Sequence, residues 1–224
     1  MPTLIVHHLQ VSQSERIPWL CEELNIEYQL KTYKRAPLLA PPEYKALHPQ
    51  GSAPVIQYGD LTLAESAACV EYICHKLADG KLFIKPSAPN YADFLYWFHF
   101  SNGTLQAGMS LANMVRRAGF DKSNQVVTFS MKRNASSLGS VEARLKHNDY
   151  LSGHEFTAAD IMSFWCFTNM RYWYPYSLKD YPNIQQYIKR ISSRDAYQKA
   201  MKESDPGLEL ALAIEPPKPF ASVP

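Results

Sequence analysis

An acidic residue and a hydroxyl residue, Glu65 and Ser66, open a predicted helix in the stretch "GSAPVIQYGDLTLAESAACVEYI". A side-chain oxygen at this position can cap the helix by accepting from a free backbone N–H group, which contributes about 1 kcal/mol. The same helix end also favours a bound anion, because its N–H groups and the helix dipole both attract negative charge. The pair therefore predicts either a helix cap or a binding site.

A second polar cluster lies in the segment "QVSQSER", between the first predicted strand and the first predicted helix. It contains Ser12, Gln13 and Ser14. A serine hydroxyl there can cap the helix, or it can donate to an anion held at the positive end of the helix dipole. Both interpretations stay open for Ser12, whereas the cap is favoured for Ser14.

Composition sets limits on the kind of partner. The chain has 224 residues, a formal net charge of +2 and 46% hydrophobic residues, which predicts a globular protein with a real core. The sequence contains no basic run interleaved with aromatic residues of the kind that binds a phosphate backbone, so we expect no nucleic-acid partner. The apolar run "FLYWFHF" is too short to span a membrane, and "MPTLIVHH" does not resemble a signal peptide. A soluble, cytoplasmic protein without a membrane partner is predicted.

The cysteines and histidines do not indicate a metal. The cysteines form neither a CxxC pair nor a zinc-like cluster, so reduced and mostly buried thiols are expected. His7 and His8 are adjacent on a predicted strand and must point to opposite faces. We predict no metal. The four cysteines are Cys21, Cys69, Cys74 and Cys166.

Residues 1–82 predict a compact sheet with helices, in the order βαβαββα. The strands are "TLIVHHL", "IEYQLKTY", "VIQY" and "LTL", and "PPEYKALHP" is a short helix. Pro18 predicts that the first helix begins near Ser14 or Glu15 or is locally kinked, and the apolar stripe of this helix ends near Asn25. The stripe of the last helix is Val70, Ile73, Cys74 and Leu77.

Residues 90–224 predict an all-helical domain, after a linker at Leu82–Asn90. "FTAAD" places Thr157 and Asp160 at the spacing of a capping box, so a central helix should run from Ala158 to about Phe167. The aromatic run from Phe164 to Tyr176 favours a packed helix end. The tail from Pro206 is expected to be extended over the surface or mobile.

Five motifs in this order resemble the cytosolic glutathione transferases, and most closely the fungal and bacterial members related to the yeast enzymes. The motifs are the strand-to-helix break, "SAPVI" before a hairpin, "AES" opening a helix, the "FTAAD" box and "YPNIQQYIKRISSRDAYQKAM". The resemblance implies a thioredoxin-like domain at 1–82, an all-helical domain at 90–224 and a homodimer. It also implies that glutathione is the co-substrate, whose thiolate attacks a hydrophobic electrophile or reduces an organic hydroperoxide.

The resemblance also assigns glutathione-binding residues. Ala53 would precede a cis-proline, Pro54, and pair with the cysteinyl backbone, while Glu65 and Ser66 would take the γ-glutamyl ammonium and carboxylate. Relatives often carry histidine or lysine before the proline and arginine after the Glu-Ser pair, where this chain has Gly51-Ser52 and Ala67. Ser52 is also among the predicted glutathione-binding residues. The candidates for the glycyl carboxylate are Arg35, Lys45 and His48.

The same resemblance points to the strand-to-helix break for the thiol. Ser12 matches the catalytic serine of the serine-type transferases, and Gln13 matches an asparagine used by related classes; Ser14 is the third candidate. The break contains no cysteine, which argues against mixed-disulfide chemistry. Arg16 is expected to be a structural, ion-pairing residue.

The electrophile is expected between the domains, against the first long helix of the second one. Core packing is favoured for Met109 and Met114. An alternative function is a transferase-like binding or regulatory module, although members of that type carry long extensions that this chain lacks. The residues expected near the electrophile are Tyr96, Trp97, His99, Phe100, Asn102 and Gly103.

Overall fold

The computed structural model describes residues 2–36, 39–121 and 123–220, which form two compact units. The first unit contains the described residues up to Phe83, together with Ile191–Leu210 and Phe220. The second contains Ile84–Arg190 and Ala211–Pro219. None of the helices in the described ranges is both long and apolar enough to cross a membrane.

A four-stranded sheet forms the centre of the first unit, with strand order β2-β1-β3-β4. β1 pairs in parallel with β2, and the connection between them is a helix, as a parallel pair requires. β3 runs antiparallel to β1 and makes a hairpin with β4. The strands are β1 (Leu4–Leu9), β2 (Tyr28–Tyr33), β3 (Val55–Tyr58) and β4 (Leu61–Ala64).

The helices around this sheet confirm the predicted order βαβαββα. A 3-10 turn at Gln13–Glu15 leads into α1, where Pro18 is the third residue and its missing N–H has no helical partner to lose. Asn25 ends α1 in the left-handed conformation, at φ 52°. The helices are α1 (Arg16–Leu24), α2 (Pro42–Lys45) and α3 (Ser66–Leu77).

The second unit is helical, and from Ala88 onward the described residues contain no strand, apart from one isolated bridge. Its first helices bury apolar residues, among them Phe94, Phe98, Met109 and Val141. A π-helical segment, Ser101–Gln106, joins the first two helices. The helices are α4 (Tyr91–Phe100), α5 (Ala107–Arg117), α6 (Gln125–Leu145), α7 (Ala158–Phe167) and α8 (Pro182–Ser192), with a 3-10 turn at Asn169–Tyr172.

The last helix, α9 (Asp195–Ser204), groups with the first unit, whereas the sequence prediction placed all of residues 90–224 in the second domain. α9 packs against α1, where the Trp19 and Tyr197 rings meet edge to face at 5.1 Å. At the start of α9, Arg194 donates to both carboxylate oxygens of Glu23 at 2.6 Å. These contacts attach the end of the chain to its beginning.

α7 is buried along its whole length, and the predicted capping box at its start is confirmed. The Asp160 carboxylate accepts from the backbone N–H groups of Leu151 at 2.9 Å and Thr157 at 2.8 Å. It also accepts from the hydroxyls of Tyr187 and Thr157. Burial raises the pKa of Asp160 to about 6, although each of these donors lowers it.

The tail from Pro206 contains no helix or strand as far as it is described, but residues 211–214 are held in place. The buried Arg171 guanidinium donates to the carbonyl oxygens of Ala211, Ala213 and Ile214, at 3.2, 2.7 and 2.8 Å. Ala211 is buried, whereas Ala213 and Ile214 are exposed, so of the two expected outcomes this segment fits a tail held over the surface. Three backbone carbonyl oxygens accept hydrogen bonds from this buried cation, which offsets the free-energy cost of removing it from water.

Candidate active site

The turn between β1 and α1 is organised by two serine hydroxyls. Ser12 caps the 3-10 turn, because its Oγ accepts from the Ser14 N–H at 3.2 Å. The two hydroxyl oxygens also lie 2.6 Å apart. Ser12 is 5% exposed, whereas Ser14 is fully buried. Of the two residues, Ser12 is the one with measurable solvent exposure.

Two residues that sequence reasoning did not assign to the site, His8 and Asp205, extend the hydrogen-bonded contacts of Ser14. His8 Nδ1 lies 2.9 Å from Ser14 Oγ, and His8 Nε2 lies 3.0 Å from Asp205 Oδ2, at the end of α9. The alternation of His7 and His8 is as predicted, since His7 contacts Tyr33 and Gln57 instead. No sequence signal connects His8 with Asp205, because 197 positions separate them.

Gln13 and Arg16 connect this turn to the other two predicted binding segments. Gln13 Nε2 donates to the carbonyl oxygen of Ala53 at 2.8 Å. The buried Arg16 guanidinium donates at 3.0 Å to both Gln13 Oε1 and Ser66 Oγ. A continuous hydrogen-bonded path therefore runs from Ala53 through Gln13 and Arg16 to Ser66. Sequence reasoning proposed an ion-pairing role for Arg16; the hydrogen bonds described here go to two neutral side chains.

The segments on this path have unusual backbone geometry. The peptide bond between Ala53 and Pro54 is cis, and Ala53 packs in a core cluster with Leu9 and Tyr44. Glu65 has φ 71° and ψ 118°, a conformation that non-glycine residues rarely adopt and that costs on the order of 1–3 kcal/mol. Its exposed side chain makes no cap hydrogen bond to α3. Helix capping does not explain why a glutamate occupies this position.

The chain matches two family models, described as the glutathione S-transferase N-terminal domain over residues 12–76 and C-terminal domain over residues 105–195. Glutathione S-transferase 3 of Schizosaccharomyces pombe is 31% identical over 96% of this chain and 96% of its own length. The chain belongs to the glutathione S-transferase family.

Solved structures of family members share this fold. A glutathione S-transferase from Actinobacillus pleuropneumoniae superposes with a TM-score of 0.81 at 30% identity, covering 92% of this chain and 95% of its own. A theta class enzyme from Xanthomonas axonopodis pv. citri, solved with glutathione bound, has a TM-score of 0.67 at 27% identity, covering 89% and 97%. The thioredoxin-like first domain and the helical second domain of this transferase fold are thereby established.

The other predicted glutathione-binding residues are less engaged. Arg35 donates to the carbonyl oxygens of Gln10 and Val11 at 2.8 and 3.1 Å, and burial lowers its pKa to about 10. Lys45 is exposed, and half-buried His48 accepts from the Gln50 N–H at 3.2 Å. Arg35 therefore supports the turn after β1, and His48 and Lys45 stay candidates for the glycyl carboxylate. Ser52, which precedes Ala53, is exposed.

The residues predicted to meet the electrophile lie on both sides of α4 and in the π-helical segment after it. Trp97 and Phe100 are buried, with ring centroids 5.1 Å apart. Tyr96 is 55% exposed and stacks on Phe100 at 5.6 Å. His99 and Gly103 are exposed, and Asn102 is half-buried. Tyr96, His99, Asn102 and Gly103 are therefore the more accessible members of this predicted set.

The prediction of core packing is correct for Met109 and wrong for Met114. Met109 is fully buried, as expected, whereas Met114 is 68% exposed. Met109 and Met114 are five positions apart, which is not a helical repeat, so the two side chains point to different sides of α5.

All four cysteines are free and buried. Within the described ranges, no group of three or more histidine, cysteine or acidic side chains is placed to hold a metal ion.

Proposed function

We propose that this transferase binds glutathione in its first unit and uses the Ser12 hydroxyl to hold the thiol as a nucleophile. The observation that carries the proposal is the hydrogen-bonded path from Ala53 through Gln13 and Arg16 to Ser66. It gathers three segments that are far apart in sequence around the turn that contains Ser12. The glutathione-bound relative supports the choice of ligand.

Each segment has a separate role in this proposal. The backbone at Ala53 pairs with the cysteinyl unit, as an exposed strand edge would pair with a peptide. The Glu65 carboxylate accepts from the γ-glutamyl ammonium, which accounts for an exposed acidic side chain held in an unfavourable backbone conformation. Ser66, 3.0 Å from the Arg16 cation, and the N-terminus of α3 receive the γ-glutamyl carboxylate.

The chemistry proposed is attack by the glutathione sulfur on an electrophilic carbon, which forms a thioether while the electron pair of the bond broken at that carbon goes to a leaving group or to the adjoining atom of a conjugated double bond. A free thiol has a pKa of about 8.5, so donors and positive potential at the sulfur are needed at neutral pH. The same thiolate would reduce an organic hydroperoxide. Exposed Tyr96 and His99, with Asn102, are the residues proposed to contact the hydrophobic co-substrate. A homodimer in the cytoplasm, serving detoxification, is the proposed setting; the four free cysteines suit a reducing compartment.

The binding mode is tested by pairing a protein variant with a ligand variant. Glu65→Gln should weaken glutathione binding about tenfold to a hundredfold, since hydrogen bonds to charged groups contribute about 1.5–3 kcal/mol. Binding of an analogue without the γ-glutamyl amino group should be weak and unchanged by the substitution. Glu71→Gln, at an exposed position of the same helix, is the matched control. Equal losses for both ligands would show that Glu65 does not contact the ammonium.

The role of Ser12 at the thiol is tested by measuring the ultraviolet absorbance of the glutathione thiolate in the complex as a function of pH. In the wild type the bound thiol should ionise below its free pKa, and Ser12→Ala should abolish that shift. If glutathione binds with an unshifted thiol, the catalytic proposal is wrong. If glutathione does not bind and a stoichiometric protein partner is recovered, the alternative function of a binding module is supported instead.

A further inference from the structure

Four buried side chains form one continuous hydrogen-bonded chain that begins at the Ser12 hydroxyl. Ser12 Oγ lies 2.6 Å from Ser14 Oγ, which lies 2.9 Å from His8 Nδ1. His8 Nε2 then lies 3.0 Å from Asp205 Oδ2. Ser14 and His8 are fully buried, and Ser12 and Asp205 are 5% and 7% exposed. We call this set, Ser12–Ser14–His8–Asp205, the buried relay.

Backbone donors fix the direction of the hydrogen bonds at the inner end of the relay. The Val11 N–H approaches both oxygens of Asp205 at 3.2 Å, so the carboxylate is an acceptor there. It then accepts from His8 Nε2–H, which makes Nδ1 the acceptor nitrogen of a neutral imidazole. His8 Nδ1 therefore accepts from the Ser14 hydroxyl, and the basic nitrogen points along the chain toward Ser12.

The outer end of the relay then lacks a donor for a ligand. With the Ser14 hydrogen directed to His8, the Ser14 oxygen accepts from the Leu9 N–H at 3.0 Å and from the Ser12 hydroxyl. The Ser12 oxygen accepts from the Ser14 N–H and still has a lone pair free to accept from one further group. In this arrangement Ser12 can accept from a thiol S–H and cannot donate to a thiolate.

Reversing the two hydrogen bonds that join Ser12 to Ser14 and Ser14 to His8 gives a second arrangement in which every donor again has an acceptor. A protonated His8 donates from Nδ1 to Ser14, Ser14 donates to Ser12, and Ser12 donates outward. The Leu9 and Ser14 N–H groups keep their acceptors, and Asp205 keeps its bond to Nε2–H. The two arrangements differ by one proton, which has moved from the ligand to the imidazole.

We propose that His8 accepts, through Ser14 and Ser12, the proton of the glutathione thiol, and that Asp205 stabilises the imidazolium that results. The S–H bond breaks and leaves its electron pair on sulfur, each hydroxyl gives one proton and takes one, and an Nδ1–H bond forms. After the thioether has formed, the imidazolium returns its proton along the relay to the anion produced in that step or to water. This inference rests on the proposed function, because it requires the thiol to contact Ser12.

The Asp205 carboxylate is in direct contact with His8. In the proposed transfer the imidazolium is therefore paired with an anion in a buried setting, where the interaction is little screened. Arg35 is the cation on the same turn, and its guanidinium is bound to the carbonyl oxygens of Gln10 and Val11. The thiolate formed at the outer end of the relay is a second anion that pairs with the imidazolium.

A proton inventory tests the proposal with the intact chain. Titration calorimetry of glutathione in buffers of different ionisation enthalpy counts the protons released on binding, and S-methylglutathione, which has no thiol proton, is subtracted. Thiolate absorbance is measured on the same samples. In the wild type, thiolate should form at neutral pH with essentially no proton released to the buffer. Release of one proton for each thiolate formed would overturn the proposal.

Nitrogen NMR of isotope-labelled histidine provides a second readout that a purely structural role would not change. The His8 signal should change from neutral imidazole to imidazolium when glutathione binds and should stay neutral with S-methylglutathione. A neutral His8 beside bound thiolate would also overturn the proposal. This measurement needs no substitution in the relay, so it does not depend on whether His8 variants fold.

Variants interrupt the relay at different positions. Ser14→Ala and His8→Gln should leave glutathione bound but reduce its thiolate at neutral pH to the few per cent of a free thiol. His7→Gln is the matched control, a buried histidine of the same strand that contacts Tyr33 and Gln57 instead, and it should keep full thiolate. Unchanged thiolate in both relay variants would contradict the proposal. Failure of the wild type to bind glutathione would instead contradict the proposed function.

Discussion

Asp160 and Asp205 are both buried carboxylates with backbone and side-chain donors, but they lie in very different networks. Leu151, Thr157 and Tyr187 all donate to Asp160, and the contact that continues from Thr157, to the Ser152 hydroxyl at 3.0 Å, reaches another fully buried residue, so this network is closed. The network of Asp205 continues through His8 and Ser14 to Ser12, a residue that is 5% exposed. A closed network fixes structure, whereas an open chain with a titratable member can also move a proton.

The largest expected effect is on stability, at the closed network. Asp160→Ala leaves several buried donors without an acceptor and should lower the free energy of unfolding by about 3–5 kcal/mol. Urea unfolding measures this change, with Asp180→Ala, an exposed substitution in the same unit, as the control. The glutathione affinity of the folded fraction should not change. A loss below about 1 kcal/mol would mean that the donors find other partners.

The second expected effect is a pH dependence of the same network. Burial raises the pKa of Asp160 from 3.8 to about 6, so between these values the folded state holds a proton that the unfolded state has released. The contribution of Asp160 to stability is therefore fully present below about pH 4 and falls, by about 3 kcal/mol, as the pH rises through 6.

This pH effect is measured as the difference in unfolding free energy between the wild type and Asp160→Asn, which cannot titrate. The difference should decrease steadily between pH 4 and pH 6. A difference that increases with pH would show that the four hydrogen-bond donors outweigh burial and keep the carboxylate ionised. Wild-type data alone are insufficient, because other carboxylates titrate in the same range.

The third expected effect is on turnover, at the open network. Asp205→Asn is nearly isosteric and should cost only about 1–2 kcal/mol of stability, but it removes the charge that stabilises the His8 imidazolium. Turnover with a model electrophile should fall about a hundredfold, the usual range for loss of proton-transfer assistance, with little change in glutathione affinity. Asp195→Asn, exposed on α9, is the control. A turnover loss no larger than the loss of folded protein would make Asp205 structural, like Asp160.

The two networks also differ in how much the sequence revealed. Thr157 and Asp160 lie three positions apart, so the capping box and the start of α7 were predictable from local spacing. The order of strands and helices in the first unit followed from hydrophobic periodicity and from Pro18 and Asn25 at the ends of α1. The resemblance to a known family added the segments around Ser12, Ala53 and Glu65.

Long-range contacts between polar groups were not predictable. His8 and Asp205 are 197 positions apart, and nothing in "ESDPG" indicates that its aspartate binds a histidine. Backbone carbonyl oxygens are present in every residue type, so the sequence did not indicate that Arg171 binds residues 211–214. Arg16 was recognised, but not its role in joining Gln13 to Ser66. Such partners are chosen by the folded topology and not by neighbours in sequence.

The attachment of α9 to α1 has a consequence for synthesis of the chain. The strands of the first unit and α1 are translated before the carboxylate that His8 contacts, which lies 197 positions later. Since domains generally fold as units during synthesis, the helical unit is translated before the sheet unit acquires its last helix. Until then the nascent sheet unit has a buried histidine without its acid partner. The proposed relay is therefore completed only after the helical unit has been translated.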